Sequence, residues 1–212
     1  MSAASNAGRI GVWGASGSGK SSYVKKAIKG RKRLVVFDPL DEYGPLCKVK
    51  ATSLDQVRKA MRANWHGFTI AYCPPASQEP RTLSSLCKLL MAAQEPYKAT
   101  GKGAGITLVV EEMNMCFPVN GGAQKSPGFA DVCSRGRHYG IEVYGLSQRI
   151  AEVATRFRGN CTETVVLRQQ GPRDLLAATD AIGGDKAAVA GLANLDYLHE
   201  RQGTVTKGRI KF

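Results

Sequence analysis

The chain has 212 residues, of which 43% are hydrophobic and 22% charged, as is typical of a soluble globular protein. Thirty lysines and arginines against 17 acidic residues give a net charge of +13, which favours a polyanionic partner, nucleic acid above all. No apolar run approaches the roughly 20 residues of a membrane span, and the first residues lack the pattern of a signal peptide. These features argue against a membrane-spanning or secreted protein.

The length suits one well-buried domain and is short for two. We therefore expect a single domain over residues 1–212, with a flexible start at residues 1–7, in a cytoplasmic protein. The six cysteines are scattered without C-x-x-C spacing, so neither disulfides nor a zinc site is expected.

A glycine-rich stretch follows the first predicted strand. It fits the phosphate-binding pattern G-x-x-x-x-G-K-[ST] and leads into a predicted helix, as a P-loop requires. Backbone N–H groups of such a loop cup an anion, and the helix dipole assists them. Lys20 is expected to contact the β- and γ-phosphates of ATP, and the Ser21 hydroxyl to contact Mg²⁺. The predicted nucleotide-binding residues are Gly14, Ala15, Ser16, Gly17, Ser18, Gly19, Lys20, Ser21 and Ser22.

Short apolar runs alternate with helical segments along the rest of the chain. Strands are predicted at 10–13, 34–37, 68–73, 106–110, 140–146 and 163–167. Helices are predicted at 22–29, 53–63, 82–94, 129–137, 150–157, 174–181 and 184–192. Residues 117–128, rich in Gly and Pro, are expected to be a mobile loop, and residues 203–212 a closing hairpin that turns at Lys207-Gly208. This pattern predicts an α/β fold with a mostly parallel, doubly wound sheet and helices on both faces.

Polar side chains follow several of the predicted strands. Asp38, Glu111-Glu112 and Gln148 each come just after a strand end, where α/β sheets bind ligands. Because neighbours on a strand point to opposite sides, the two acids need different tasks. We assign Glu111 to the Mg²⁺ shell, Glu112 to polarising the attacking water, and Gln148 to sensing the γ-phosphate.

Two arginines precede the fifth predicted strand. Arg135 and Arg137 could bind phosphate within the subunit, pair with acids, or reach a neighbour's nucleotide as an arginine finger. Their spacing alone does not choose between these roles.

Together these motifs resemble the FtsK–HerA superfamily of DNA-pumping ATPases. The resemblance rests on residues 14–21, on Val-Val-Glu-Glu at 109–112, and above all on residues 134–149, where an Arg precedes an apolar strand that ends in Ser-Gln-Arg. It covers roughly residues 8–167 and implies a RecA-like (ASCE) P-loop NTPase fold and a hexameric ring with DNA through its centre. It further implies Gln148 as sensor and Arg137 as the finger acting across the subunit boundary, with Arg135 the second choice.

The chain departs from that family in two respects. The first acid of the Walker B strand is usually Asp, whereas here it is Glu111. We also expect this protein to lack the membrane anchor and DNA-reading domain of FtsK-type members and the N-terminal barrel of HerA-type members. A bare ATPase core of this length resembles the genome-packaging ATPases of tailless dsDNA viruses with an internal membrane, the tectivirus type. This implies a protein of the host cytoplasm that attaches at a packaging vertex through portal or membrane packaging proteins.

Lys125 and Gln124 are the candidate DNA contacts, because they lie in a glycine-rich segment suited to a pore loop. The basic run 25–33 is a second candidate. The function expected is ATP-driven packaging of double-stranded DNA. The alternatives are another translocase of this type, a phage assembly or export ATPase, a small-molecule P-loop kinase, and a nucleotide-binding protein that does not hydrolyse.

Overall fold

The computed structural model describes residues 7–211. Residues 1–6, which make up nearly all of the segment expected to be flexible, lie outside the described residues. The strands are Arg9–Trp13 (β1), Arg33–Phe37 (β2), Val49–Ala51 (β3), Phe68–Tyr72 (β4), Ile106–Val110 (β5), Ile141–Ser147 (β6), Glu163–Leu167 (β7), Asp196–Arg201 (β8) and Thr204–Arg209 (β9). They form one sheet in the order β3-β4-β2-β5-β6-β1-β7-β8-β9. The strands β1 to β7 pair in parallel, and β8 and β9 add an antiparallel edge.

The α-helices are Lys20–Ala27 (α1), Leu54–Ala63 (α2), Glu79–Ala93 (α3), Glu95–Thr100 (α4), Met113–Cys116 (α5), Gly122–Lys125 (α6), Pro127–Arg135 (α7), Thr155–Arg158 (α8), Pro172–Ile182 (α9) and Lys186–Ala190 (α10). Short 3-10 helices span Gly44–Leu46, Gly136–Tyr139 and Ile150–Glu152. Within residues 7–211, none of these helices combines the length and the apolar character that a bilayer crossing needs.

The central strands are buried on both faces, which explains their continuous apolar sequences. Val35 and Phe37 of β2 contribute to a core shared with α2, α3, α7 and α9. Leu34 and Val36, which point the other way, contribute to a second core shared with α1. The predicted doubly wound α/β fold is therefore confirmed, and Trp13 at the end of β1 lies inside the first core.

The predicted continuous helix over residues 150–157 is wrong. A 3-10 turn and the short helix α8 replace it, and Val153 between them is extended. Val153 forms an isolated bridge with Pro118, and the Val119 N–H donates to the Glu152 carbonyl over 2.8 Å. Pairing with this distant segment satisfies backbone groups that a helix would otherwise have satisfied.

The same pairing corrects the prediction of a mobile loop at 117–128. The bridge between Pro118 and Val153 holds the start of that segment. The segment also contains helix α6, and directly after this helix the Ser126 N–H donates to the Gly122 carbonyl over 2.8 Å. Phe117 is fully buried and packs edge-on against Phe129. The Gly and Pro residues therefore shape a compact turn-rich connection.

The predicted closing hairpin is confirmed, but it spans residues 196–209 rather than 203–212, and its predicted turn at Lys207-Gly208 is wrong. The turn lies at Gln202-Gly203, where both residues have positive φ (53° and 79°), as two-residue hairpin loops with the correct twist require. Gly208 lies within β9, opposite Tyr197. A Cβ at Gly208 would lie 2.3 Å from the Tyr197 ring, so the glycine makes room for an aromatic side chain.

The elements that the sequence patterns missed include β3 and α4. The edge strand β3 has only three residues, which is too short for a recognisable alternation. Helix α4 begins at Glu95, directly after α3 ends at Ala93, because Pro96 occupies the first turn of a new helix, where its missing N–H costs nothing.

Candidate nucleotide-binding site

The predicted P-loop joins the end of β1 to the start of α1. Gly17 and Gly19 have φ angles of 69° and 106°, which side chains with a Cβ rarely adopt. At Gly19 a Cβ would also lie 2.8 Å from the Ile210 side chain. Backbone conformation thus requires both glycines, and close packing beneath the loop adds a second reason at Gly19.

Backbone hydrogen bonds anchor the loop at its start and leave its tip open. The Gly14 N–H donates to the Ser147 carbonyl over 3.2 Å, and the Ala15 N–H donates to the Arg168 carbonyl over 2.8 Å. Among residues 7–211, the N–H groups of Ser16, Gly17 and Gly19 have no acceptor. The first N–H groups of α1, from Lys20, Ser21 and Ser22, lack acceptors within the helix by geometry. Free donors at a helix N-terminus form an anion cradle.

Lys20 lies across this cradle. Its Nζ donates to the Ala15 carbonyl over 3.1 Å, and the residue is 8% exposed. Burial lowers the pKa of its ammonium group, and the carboxylates of Glu112 and Glu111 oppose that effect. A lysine held in a buried position next to free N–H groups is suited to bind phosphate oxygens.

Glu111 follows β5, is 4% exposed, and accepts a hydrogen bond over 2.5 Å from the hydroxyl of Tyr43. Tyr43 is itself fully buried, and its backbone N–H donates to Asp38 over 2.9 Å. Burial, aided by Glu42 and Glu112, raises the pKa of Glu111 to about 7. Burial likewise raises the pKa of Tyr43, so its hydroxyl remains a donor. The carboxylate of Glu111 is therefore held in one position within a site that favours an added cation.

Glu112 has a different neighbour. It adopts a left-handed conformation (φ 49°) at the start of α5, and its Oε1 accepts a hydrogen bond over 2.8 Å from Gln148 Nε2. The structure thus brings Glu112 and Gln148 into contact, although 36 residues separate them in the chain. Strained non-glycine backbone of this kind is often found at functional sites.

The two candidate finger arginines differ in their surroundings. Arg135 forms an ion pair with Asp131 over 2.9 Å. Arg137 is exposed, and within the described part of the chain its one side-chain hydrogen bond goes from Nε to the His138 ring nitrogen Nε2, over 3.5 Å. Both precede β6, whereas the P-loop and Gln148 lie at the opposite, carboxyl edge of the sheet. With seven residues, β6 spans about 23 Å between these two edges. Neither arginine can therefore contact the phosphates bound by its own chain.

The sequence patterns missed three supports of the site. Tyr43 orients Glu111 from 68 residues away. Arg168, after β7, donates to the Ser16 carbonyl over 3.1 Å. The β8–β9 hairpin is flanked by Leu195, whose N–H donates to the Ser18 carbonyl over 3.0 Å, and by Ile210 under Gly19. The segment Gly-Arg-Ile at residues 208–210 carries no pattern that would have indicated contact with the loop.

A cavity of about 560 Å³ opens beside the loop. Ala15, Ser16 and Gln148 line it together with the backbone and side chains of residues 170–174. Arg149, the last residue of the Ser-Gln-Arg motif, lies at the same cavity and is paired with Asp174 over 2.8 Å. This space adjoins the cradle and is large enough for a nucleoside.

The predicted nucleic-acid contacts lie away from this cavity. Lys125 and Gln124 are exposed on helix α6. The basic run 25–33 is only partly free: Arg33 is buried against the Trp65 ring at 3.9 Å, and Arg31 is paired with Glu142 over 3.0 Å. Lys26, Lys29 and Lys32 remain exposed. As a candidate for DNA contact, the run therefore offers fewer cations than its sequence suggests.

These features define a P-loop ATPase fold with its cradle, acids and glutamine at one edge of a parallel sheet. The genome packaging NTPase B204 of Sulfolobus turreted icosahedral virus 2, solved with AMPPCP, superposes with a TM-score of 0.76 at 16% identity, over 97% of this chain and 98% of that one. VirB4 of Thermoanaerobacter pseudethanolicus superposes with a TM-score of 0.69 at 14% identity, over 96% of this chain and 89% of that one. The resemblance to the FtsK–HerA ATPases is thereby confirmed at the level of the fold.

A curated relative adds a match in sequence. Protein P9 of Pseudoalteromonas phage PM2 is 26% identical over 144 residues, which are 67% of this chain. The match spans 60% of the length of that relative. No protein-family model matches the chain.

Proposed function

We propose that the protein hydrolyses ATP. The observation that carries the proposal is the convergence of the free N–H cradle, Lys20, Glu111 and the Glu112–Gln148 pair at one sheet edge. Lys20 and the cradle bind the β- and γ-phosphates, Glu112 polarises the attacking water, and Gln148 detects the γ-phosphate. The solved structures of B204 with ATP analogues support this assignment by fold.

The residues at the site fit Mg²⁺. Ser21 and Glu111 offer only oxygen donors, which hard divalent cations prefer. Glu111 is buried, with its pKa raised to about 7 by burial and nearby acids, and a cation at this position would relieve that unfavourable charge. When bound, Mg²⁺ would neutralise charge on the β- and γ-phosphate oxygens.

We assign Arg137 to a nucleotide held by a second copy of the chain. It is exposed and free of acidic partners among residues 7–211, whereas Arg135 already pairs with Asp131. An arginine that cannot reach the phosphates of its own chain can contact a nucleotide only if another copy holds it. Repeated head-to-tail contacts of this kind close into a ring when the rotation between neighbouring copies permits it. A homo-oligomeric ring, expected to be a hexamer, therefore forms part of the proposal.

The work proposed for this ATPase is packaging of a double-stranded viral genome. The net charge of +13 supports a phosphate-rich partner, and B204 is named a genome packaging NTPase. On this proposal the chain acts in the host cytoplasm and at a packaging vertex of the virion, docked on portal or membrane packaging proteins.

ATP turnover measured with and without duplex DNA, alongside molar mass in solution, tests the proposal. We expect duplex DNA to stimulate turnover and to promote assembly. Stimulation by single-stranded DNA alone would indicate an export ATPase. A monomer that ignores DNA and phosphorylates a metabolite would indicate a kinase, and ATP binding without hydrolysis would contradict the proposed enzyme.

A further inference from the structure

A polar groove lies between α3 and the segment around α6. Its volume is about 700 Å³. Its lining includes Arg81, Ser84 and Lys88 of α3 and Gln124 and Lys125 of α6. The predicted DNA contacts, Gln124 and Lys125, therefore lie across the groove from α3, whose sequence pattern gave no indication of DNA binding.

Three cations line the groove, and no acid does. Arg81 and Lys88 come from α3 and Lys125 from α6, and all three are exposed. Within residues 7–211, none of them forms an ion pair or a side-chain hydrogen bond. The nearest acid in the sequence, Glu79, is 8% exposed and accepts a hydrogen bond from the Ser77 N–H over 3.0 Å. The positive charge of the groove is therefore uncompensated within the described chain.

The two walls of the groove are fixed relative to each other. The Gly128 N–H at the start of α7 donates to Ser84 Oγ on α3 over 2.9 Å. The backbones approach so closely that a Cβ at Gly128 would lie 2.2 Å from the Ser84 carbonyl oxygen. A groove whose cations are held on rigid elements loses little conformational freedom when a ligand binds.

We propose that this groove binds the phosphodiester backbone of duplex DNA. Arg81 and Lys88 are seven residues apart on one helix and so lie on the same face about 10.5 Å apart, far enough to contact different phosphates. Ser77, Gln78 and Gln124 supply neutral donors, which together with cations are the usual partners of DNA phosphates. The groove lacks the large apolar or aromatic anchors that a protein partner would need. This inference deepens the proposed DNA-dependent function and rests on it.

The test compares two variants that lose the same number of charges in different places. One carries Arg81→Gln, Lys88→Gln and Lys125→Gln. The matched variant carries Lys26→Gln, Lys29→Gln and Lys32→Gln, from the competing basic run. Binding of a fluorescent DNA duplex is titrated over a range of salt concentrations. Measurements of melting temperature and ATP affinity verify that both variants fold. We expect both quantities to match those of the wild type.

We expect the groove variant to bind DNA at least tenfold more weakly near 0.1 M salt, with a salt slope shallower by about 2 to 3, because each lost phosphate contact removes about 0.9 from that slope. The matched variant should remain close to wild type. Equal losses in both variants, or a loss confined to the matched variant, would overturn the groove assignment while leaving the DNA-dependent function intact. Both variants are also titrated with polyglutamate as an acidic-protein probe. If the groove variant lost polyglutamate binding but kept DNA binding, the groove would be assigned to an acidic protein. Wild-type protein that binds no DNA would overturn both proposals.

Discussion

Glu111 and Glu112 are adjacent in the chain, but their carboxylates meet different partners. Glu111 is held by the Tyr43 hydroxyl in a buried position, and Glu112 by the amide of Gln148. This division supports different tasks for the two acids, which the sequence argument expected from strand alternation. Both residues lie beyond the end of β5 at Val110, so the chain turn at Glu112, and not strand alternation, separates them.

Replacing Lys20 tests the cradle. Lys20→Ala should lower ATP affinity by roughly 100-fold or more, because it removes a charged donor to two phosphate groups. Calorimetric titration with ATP measures the effect. Lys26→Ala, an exposed position on the same helix, is the control and should bind ATP normally. Affinity retained in Lys20→Ala would remove the phosphate-binding assignment.

Tyr43 is expected to be a positioning residue for the acid assigned to Mg²⁺. Tyr43→Phe deletes the only donor to Glu111 Oε1 among residues 7–211. It should weaken the contribution of Mg²⁺ to nucleotide affinity by about tenfold, as loss of an outer-shell partner typically does. Nucleotide titrations with and without Mg²⁺ separate this effect from nucleotide binding itself.

Tyr72→Phe is the control for that experiment. Tyr72 is also buried, and its hydroxyl makes no hydrogen bond among the described residues. An equal effect in Tyr72→Phe, or an unchanged Mg²⁺ contribution in Tyr43→Phe, would show that Tyr43 has only a packing role.

At the scale of elements, sequence patterns predicted the strands and loops whose conformation depends on their own residues. The buried parallel strands were recognisable because burial on both faces leaves continuous apolar runs such as β2 and β5. The P-loop was recognisable because its glycines are needed locally. The interrupted helix at 150–157 was not recognisable, since it depends on Pro118 pairing with Val153. Tyr43 and the C-terminal residues beneath the P-loop also act through contacts between distant parts of the chain.

The crossing of α3 and α7 yields a stability prediction. Gly128→Ala should lower the free energy of unfolding by about 1–3 kcal/mol, the usual cost of overpacking, because the new methyl group collides with the Ser84 backbone. Gly67→Ala is the control, since its Cβ would make only an ordinary contact at 3.8 Å. Denaturant unfolding measures both. Equal stability of the two variants would contradict the close helix approach, and with it the rigid groove.

At the scale of the whole molecule, we propose that a second copy of the chain completes the nucleotide site. The cradle, acids and glutamine share the carboxyl edge of the sheet, while Arg137 lies exposed at the amino edge. In a head-to-tail ring the amino edge of one copy meets the carboxyl edge of the next. Such an arrangement would couple each hydrolysis event to contact between neighbours, which is what a DNA-pumping ring requires.

Mixing of two inactive variants tests this central claim most directly. Arg137→Ala chains retain the cradle and Glu112, and Glu112→Gln chains retain the arginine, so neither should hydrolyse ATP alone although both bind it. In an equal mixture with duplex DNA, random assembly into heterologous interfaces should restore about a quarter of the wild-type turnover. Mixing Arg137→Ala with a chain that carries both substitutions should restore none. Turnover that stays at zero at every ratio of the first mixture would contradict a shared site.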